Sequence, residues 1–213
     1  MGAVPTQRAR ADRQARRHRR DEILSAAAPL FARHGFHGVS VDDLGAATGT
    51  SGPALYRHFR SKEEVLAELL LGVSERLLEG GVRRAAAAPS PADALDSLVS
   101  FHVDFALGEP DVITVQARDL ANLPPEARRK VRSLQHRYVS VWATVIDGVT
   151  GCGKELAVAA AHAAFGLMNS TPHSARLPRH EMRAVLQSMA LGALRSAGSV
   201  AGRPARPPAA PPD

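Results

Sequence analysis

Cysteine is nearly absent from this 213-residue chain. The lone Cys152 allows no intramolecular disulfide, so a disulfide scaffold is excluded and a reducing compartment is expected. Long apolar runs are missing too. The best stretch, Leu156–Met168, falls short of the roughly 18 residues of a membrane span and contains His162. The cationic N-terminus has no apolar segment behind it, so no secretory signal is expected, and serine is absent from residues 1–20, which argues against a transit peptide. A cytoplasmic protein with no membrane partner is the expectation. Catalytic signatures are equally scarce. Cys152 lies between two glycines with no evident base, a G-x-S-x-G elbow is absent, and Gly151-Cys152-Gly153-Lys154 lacks phosphate-loop spacing. No His/Cys/Asp/Glu cluster has metal-ligand spacing. Neither enzyme activity nor a cofactor or metal is expected, and a helical enzyme stays a remote alternative. Lysine is rare as well: 24 arginines stand against 3 lysines, and with 38 alanines they point to a GC-rich, bacterial coding sequence.

What is present is a charge placed at one end. The formal net charge is +6. Residues 1–20 hold seven arginines (Arg8, Arg10, Arg13, Arg16, Arg17, Arg19 and Arg20) against Asp12 alone. The rest of the chain has 20 basic and 20 acidic groups, so the sequence describes a neutral body with a cationic arm. Such an arm suits a polyanion such as nucleic acid, although a solvated charged face would look similar.

Alanine and leucine dominate the middle of the chain and alternating β-branched runs are missing, so the fold class is all-α. Residues 1–16 read as a disordered basic arm and residues 199–213 as a disordered Pro-rich tail. A first helix is expected from about Arg17 to His34, ended by Gly35 and bent at Pro29. Ser40 should cap a short second helix, with Asp42 and Asp43 in its positive first turn. Gly49 then makes a turn, Ser51 caps a third helix, and the box Ser61-x-x-Glu64 opens a fourth that runs to about Ala88. Further helices are expected near 92–107, 111–121, 125–149, 154–170 and 179–197.

Residues 40–59 have the dimensions of a helix-turn-helix, with Val41, Leu44, Ala47, Leu55 and Phe59 able to lock its two helices together. The second helix starts Ser51-Gly52-Pro53-Ala54, all small, as a helix pressed end-on into a major groove requires.

The run Val41–Glu64, with its core Leu55-Tyr56-x-His58-Phe59-x-Ser61-Lys62-Glu63, resembles the DNA-binding domain of TetR-family transcriptional regulators, as does Ile23–Gly35 before it. The likeness covers roughly residues 20–70; Thr50 departs from the Val or Ile usual there. The resemblance implies a three-helix DNA-binding domain over 17–63 and a helical effector-binding and dimerisation domain over 64–198. It implies that Ser40, Tyr56, His58 and Lys62 contact backbone phosphates, and that Gly52, Pro53, Ala54 and Arg57 meet base edges or thymine methyls. Thr50 and Ser51 would lie at the same groove mouth. Arg57 is the candidate for reading guanine, since a bidentate arginine–guanine pair is the commonest specific contact.

The resemblance further implies a homodimer on double-stranded DNA with a near-palindromic operator, held by a four-helix bundle from the last two helices of each subunit. Ala157, Ala160, Ala161 and Ala164 offer small faces for this, and Met182, Val185, Leu186, Met189 and Ala193 recur at helical spacing. The bulky or polar residues of the alanine-rich frame are the candidate effector liners: Phe101, His102, Phe105, Arg118 and Tyr138, then Trp142, His162, Phe165, Met168 and Asn169. Core packing is the competing account for most of them. The segment Arg118–Pro124 and the basic residues Arg128, Arg129, Lys130 and Arg132 are similar to actinobacterial members tied to fatty-acid or sterol breakdown, which suggests an acyl-CoA or other apolar small-molecule effector. A repressor released by such an effector is the expected function; a DNA-binding dimer that senses nothing is the alternative.

Overall fold

The computed structural model describes residues 7–49 and 51–201. They form α1 (Gln7–Gly38), α2 (Val41–Ala47), α3 (Gly52–Leu55), α4 (Lys62–Ala87), α5 (Pro91–Gly108) and α6 (Pro110–Asp119). A 3-10 turn (Leu120–Asn122) leads to α7 (Pro125–Thr150), α8 (Lys154–Met168), α9 (Thr171–Ser174), α10 (Arg179–Arg195) and α11 (Ala197–Ala201). Among the described residues there is no strand, so the all-α expectation holds. No described helix is long and apolar enough to cross a membrane.

The chain divides into two units: Met1–Leu77 with Gly108–Gln135, and Leu78–Leu107 with His136–Asp213. In the first, Ile23, Ala27, Phe31, Leu44, Leu55, Phe59, Leu66 and Leu70 are buried. In the second, Leu95, Leu98, Val103, Trp142, Ile146 and Met168 are buried. Both sets recur at three- and four-residue spacings, as helices that bury one face require.

Three differences from the sequence reading have physical causes. The stretch 1–16 was expected to be disordered, yet α1 begins at Gln7. Its run of Gln, Arg and Ala has strong helix propensity, which a search for apolar periodicity overlooks. The first six residues lie outside those described, as do 202–213 of the expected tail, whose first residues instead belong to α11. Helix α9 was not anticipated. It is held by tertiary contact, since the Thr171 hydroxyl is buried and donates to the Ala106 carbonyl at 2.7 Å.

Gly35 stops the regular run of α1 as expected, at φ 76 and ψ 160, a region open essentially to glycine alone. One more helical turn follows before Ser40. Pro29 lies inside α1 and leaves one backbone bond unmade.

Candidate nucleic-acid interface and aromatic cluster

The reading head is built by caps. Ser40 Oγ accepts the Asp43 N–H at 3.1 Å, and the Asp43 carboxylate accepts the Ser40 N–H at 2.8 Å, a reciprocal capping box at the start of α2. The Ser40 hydroxyl, which donates to the same carboxylate, and then the Ser40 N–H hold the Asp43 carboxyl below its ordinary range. Gly49 takes φ 63 in the turn. Ser51 Oγ then accepts the Ala54 N–H at 3.3 Å and starts α3, where Pro53 is tolerated in the first turn. At the start of α4 the Glu64 N–H donates to Ser61 Oγ at 3.3 Å. The Glu64 carboxylate accepts the Arg60 N–H rather than that of Ser61, so the expected box is displaced by one residue.

Ser51, Pro53, Tyr56 and Arg57 share an exposed surface at α3, with Ala54 and His58 half-buried; Tyr56 keeps 55% of its surface open, unusual for a tyrosine. Phe59 is buried, with the Arg20 guanidinium 4.2 Å from its ring centre. Two expected contact residues face elsewhere. Gly52 is buried, and a methyl there would overlap the Asp42 carboxylate, so its smallness serves the packing of α3 on α2. Lys62 Nζ donates to the carbonyls of Phe36 at 2.8 Å and Val39 at 2.6 Å and lies 4.4 Å from the Phe36 ring centre. Ser40 is exposed, but its hydroxyl donates to Asp43 at 2.6 Å. Thr50 lies outside the described residues.

The basic arm contributes more than net charge. Arg19 donates to the Thr48 carbonyl at 2.8 Å, and Arg20 donates to the His58 carbonyl and to Glu68. The sequence reading missed this role, because a run of arginines carries no periodic signal to single out two of them. The His58 imidazole is held below its ordinary pKa, first by desolvation and then by the charges of Arg19, Arg16, Arg20 and Arg57.

In the second unit, six expected effector residues meet. His102 lies at the centre, with ring centres of Phe165 at 4.8 Å, Phe105 at 5.6 Å, and Tyr138 and Trp142 each at 5.9 Å. Its Nε2 is 3.0 Å from Asn169 Oδ1 and its Nδ1 is 3.3 Å from the Tyr138 hydroxyl. Burial lowers the His102 pKa to about 4, so the imidazole is neutral, and burial raises that of Tyr138. Among the described residues, Trp142 Nε1 is the one buried side-chain polar atom with no hydrogen-bond partner. Gly80 and Gly81 of α4 admit the neighbouring rings, since a methyl at either would overlap Phe101 or Tyr138. Met168 is fully buried.

The remaining expected liners stand apart. Phe101 lies under the Arg84 guanidinium, 3.9 Å from its carbon. His162 is exposed on α8. Arg118 belongs to the first unit, where it donates to the Phe31 and Ala32 carbonyls of α1. The basic residues Arg128, Arg129, Lys130 and Arg132 also belong to that unit, and Lys130 pairs with Glu75 at 3.0 Å. A groove of about 480 Å³ in the second unit is lined by Arg83, Arg84, Asp93 and Ser97 among others. One of about 660 Å³ in the first unit lies among α1, α4 and the start of α6. Neither is lined by any of the ten.

The nine expected interface residues divide. Ala157, Ala161, Ala164, Met182 and Leu186 are buried within the single chain, where α8 and α10 pack together. Val185, Met189 and Ala193 form an exposed row on α10, Ala160 is half-buried, and the outer face of α8 presents Ala159, His162, Ala163 and Gly166.

Residues 23–69 match the family model described as "Bacterial regulatory proteins, tetR family", and residues 88–173 match "Tetracyclin repressor-like, C-terminal domain". The chain belongs to the tetR family of bacterial regulatory proteins. Among curated relatives, the repressor KstR2 of Mycolicibacterium smegmatis is 28% identical over 61% of this chain and 63% of its own length. The match to a repressor of Pseudomonas putida spans 61% of that protein. Two solved structures have the same fold. A TetR-family regulator from Bordetella parapertussis has a TM-score of 0.72 at 23% identity, covering 84% of this chain and 93% of that one. AibR, solved with isovaleryl coenzyme A and operator DNA, has a TM-score of 0.68 at 19% identity, covering 80% and 97%.

Proposed function

We propose that the protein is a sequence-specific DNA-binding transcriptional repressor, acting as a homodimer and released by a small apolar effector. One observation carries the DNA reading: a doubly capped helix-turn-helix that leaves Ser51, Pro53, Tyr56 and Arg57 exposed beside a concentration of arginines. Helix N-termini and arginines hold phosphates, while a short-side-chain helix start lets Arg57 reach a guanine edge. Tyr56 and His58 serve the backbone. Ser51 stands at the groove mouth, and Ser40 and Lys62 act chiefly by holding the head in shape. Two heads about 34–36 Å apart on one DNA face then require a twofold partner, for which the Val185, Met189 and Ala193 row offers the apolar face.

Tyr56→Ala is expected to weaken binding to every sequence, and Arg57→Ala to relax preference at one base position, with a cost of about 1–3 kcal/mol on the best site. Binding-site selection with both variants tests this; unchanged preference in Arg57→Ala removes the assignment.

The aromatic cluster around His102 is the proposed effector core. The unpartnered Trp142 N–H supplies a polar handle within an apolar wall. The ketosteroid regulator KstR2 of Mycobacterium tuberculosis and AibR, solved with isovaleryl coenzyme A, have the same fold and suggest a steroid- or acyl-coenzyme A-type ligand. The groove at Arg83 and Arg84, with Arg84 stacked on Phe101, offers a cationic site for the phosphates of such a thioester. Isothermal titration with a panel of acyl-CoAs tests the class, and absence of heat across the panel disposes of it.

A further inference from the structure

Arg118 stands among the candidate effector residues on sequence, but its contacts assign it another task. Regular helical geometry of α1 is broken at Gly35, one turn beyond the carbonyls of Phe31 and Ala32. Arg118, near the end of α6, reaches both: Nη1 donates to the Ala32 carbonyl at 3.1 Å and Nη2 to that of Phe31. The same guanidinium pairs with Asp119 at 3.0 Å. The Asp119 side chain is 4% exposed, and its Oδ1 accepts the Phe36 N–H, the first donor after the break, at 3.5 Å. Two adjacent side chains of one helix thus serve both sides of one break in another. From α4, Lys62 takes the Phe36 and Val39 carbonyls just beyond. Residue 40, the cap that starts the reading head, follows directly.

From this arrangement we infer that Arg118 and Asp119 are positioning residues for operator recognition: they set the angle at Gly35 from which α2 and α3 leave α1. The inference rests on the DNA-binding reading above. A flexible joint still presents cationic side chains to phosphates, but it orders the groove-reading helix only when DNA pulls it into place, which lowers specific affinity and leaves non-specific affinity alone.

The test compares the full-length chain with Arg118→Ala, Arg118→Lys and Asp119→Asn. Binding to the selected operator and to a scrambled duplex is measured across a salt series, with amide hydrogen exchange over residues 36–44. Arg118→Ala is expected to lose roughly tenfold or more in operator affinity, since it gives up charge-assisted bonds to backbone carbonyls. Its affinity for scrambled DNA and its salt slope are expected to match wild type, while exchange over residues 36–44 quickens. Arg118→Lys, which can serve one carbonyl but lacks the planar fork, recovers part of the loss. Asp119→Asn falls between. Two results overturn the proposal: operator affinity unchanged in Arg118→Ala, or equal losses on both duplexes together with a lowered melting temperature, which marks a residue of general stability. A wild-type chain that selects no sequence at all defeats the DNA-binding reading itself, whereas Arg118→Ala matching a wild type that does select defeats this inference alone.

Discussion

His102 illustrates how burial at a single residue turns into a property of the whole protein. Its ring is 3% exposed, surrounded by four aromatic side chains, and its pKa is lowered to about 4. The unfolded chain takes up a proton at this side chain as pH falls through about 6.5, while the folded form refuses it until about 4. The sign is therefore destabilising on acidification, and the loss is complete only below the folded pKa. By pH 4.5 it amounts to about 2–3 kcal/mol. Urea unfolding at pH 7 and pH 4.5 should show this component in wild type and lack it in His102→Phe. An equal acid loss in both would place the pH dependence elsewhere. The sequence marked His102 as a residue on an apolar stretch, which suits a ligand-binding or a core histidine equally; only the positions of Asn169 and Tyr138 define which hydrogen bonds its two nitrogens make.

Among the elements, α1 departs furthest from expectation: it starts at Gln7 and adds a turn beyond the expected stop at Gly35. Its N-terminal extension rests on propensity, its C-terminal break on one glycine. Gly35 sits at φ 76 and ψ 160, so Gly35→Ala should cost about 1–3 kcal/mol. Gly38 is the control. It has no positive φ, and an added methyl meets only His34 Cβ at an ordinary 3.5 Å. Gly38→Ala should leave stability unchanged or raise it by about 0.5–1 kcal/mol. Denaturation midpoints of the two variants, read with their slopes, decide the matter; a neutral Gly35→Ala would mean that α1 can leave its break by another route. The caps of α2 and α3 were legible in the sequence because Ser40 and Ser51 act on donors three residues away. The service given to α1 by Arg118 was not, since the partners are 86 and 87 residues apart.

At the scale of the whole molecule, the charge asymmetry takes on a sharper form. Arg19 and Arg20 are engaged with Thr48, His58 and Glu68, while Arg16 and Arg17 are exposed. Removing residues 1–16 should therefore keep the head intact and flatten the salt dependence of DNA binding, with sequence preference preserved. A collapse of preference in binding-site selection would place specificity in the arm. Association is tested separately. Val185→Glu combined with Met189→Glu puts charge on an exposed apolar row without touching Met182 or Leu186 in the core. Sedimentation at micromolar concentration should show wild-type dimer and variant monomer; a variant that remains dimeric moves the interface off α10.

Local interactions made much of this protein readable in advance. The helical class, the serine caps, the turn at Gly49 and the reading-head motif all depend on residues within a few positions of one another, and on propensities carried by each side chain. Which apolar face of α8 and α10 stays inside, why Gly52 is small, where Lys62 points and what Arg118 holds were decided by tertiary packing alone. A helix with apolar residues on two faces has no local signal to rank them, and a long basic side chain selects its acceptor from whatever carbonyls the fold leaves unpaired.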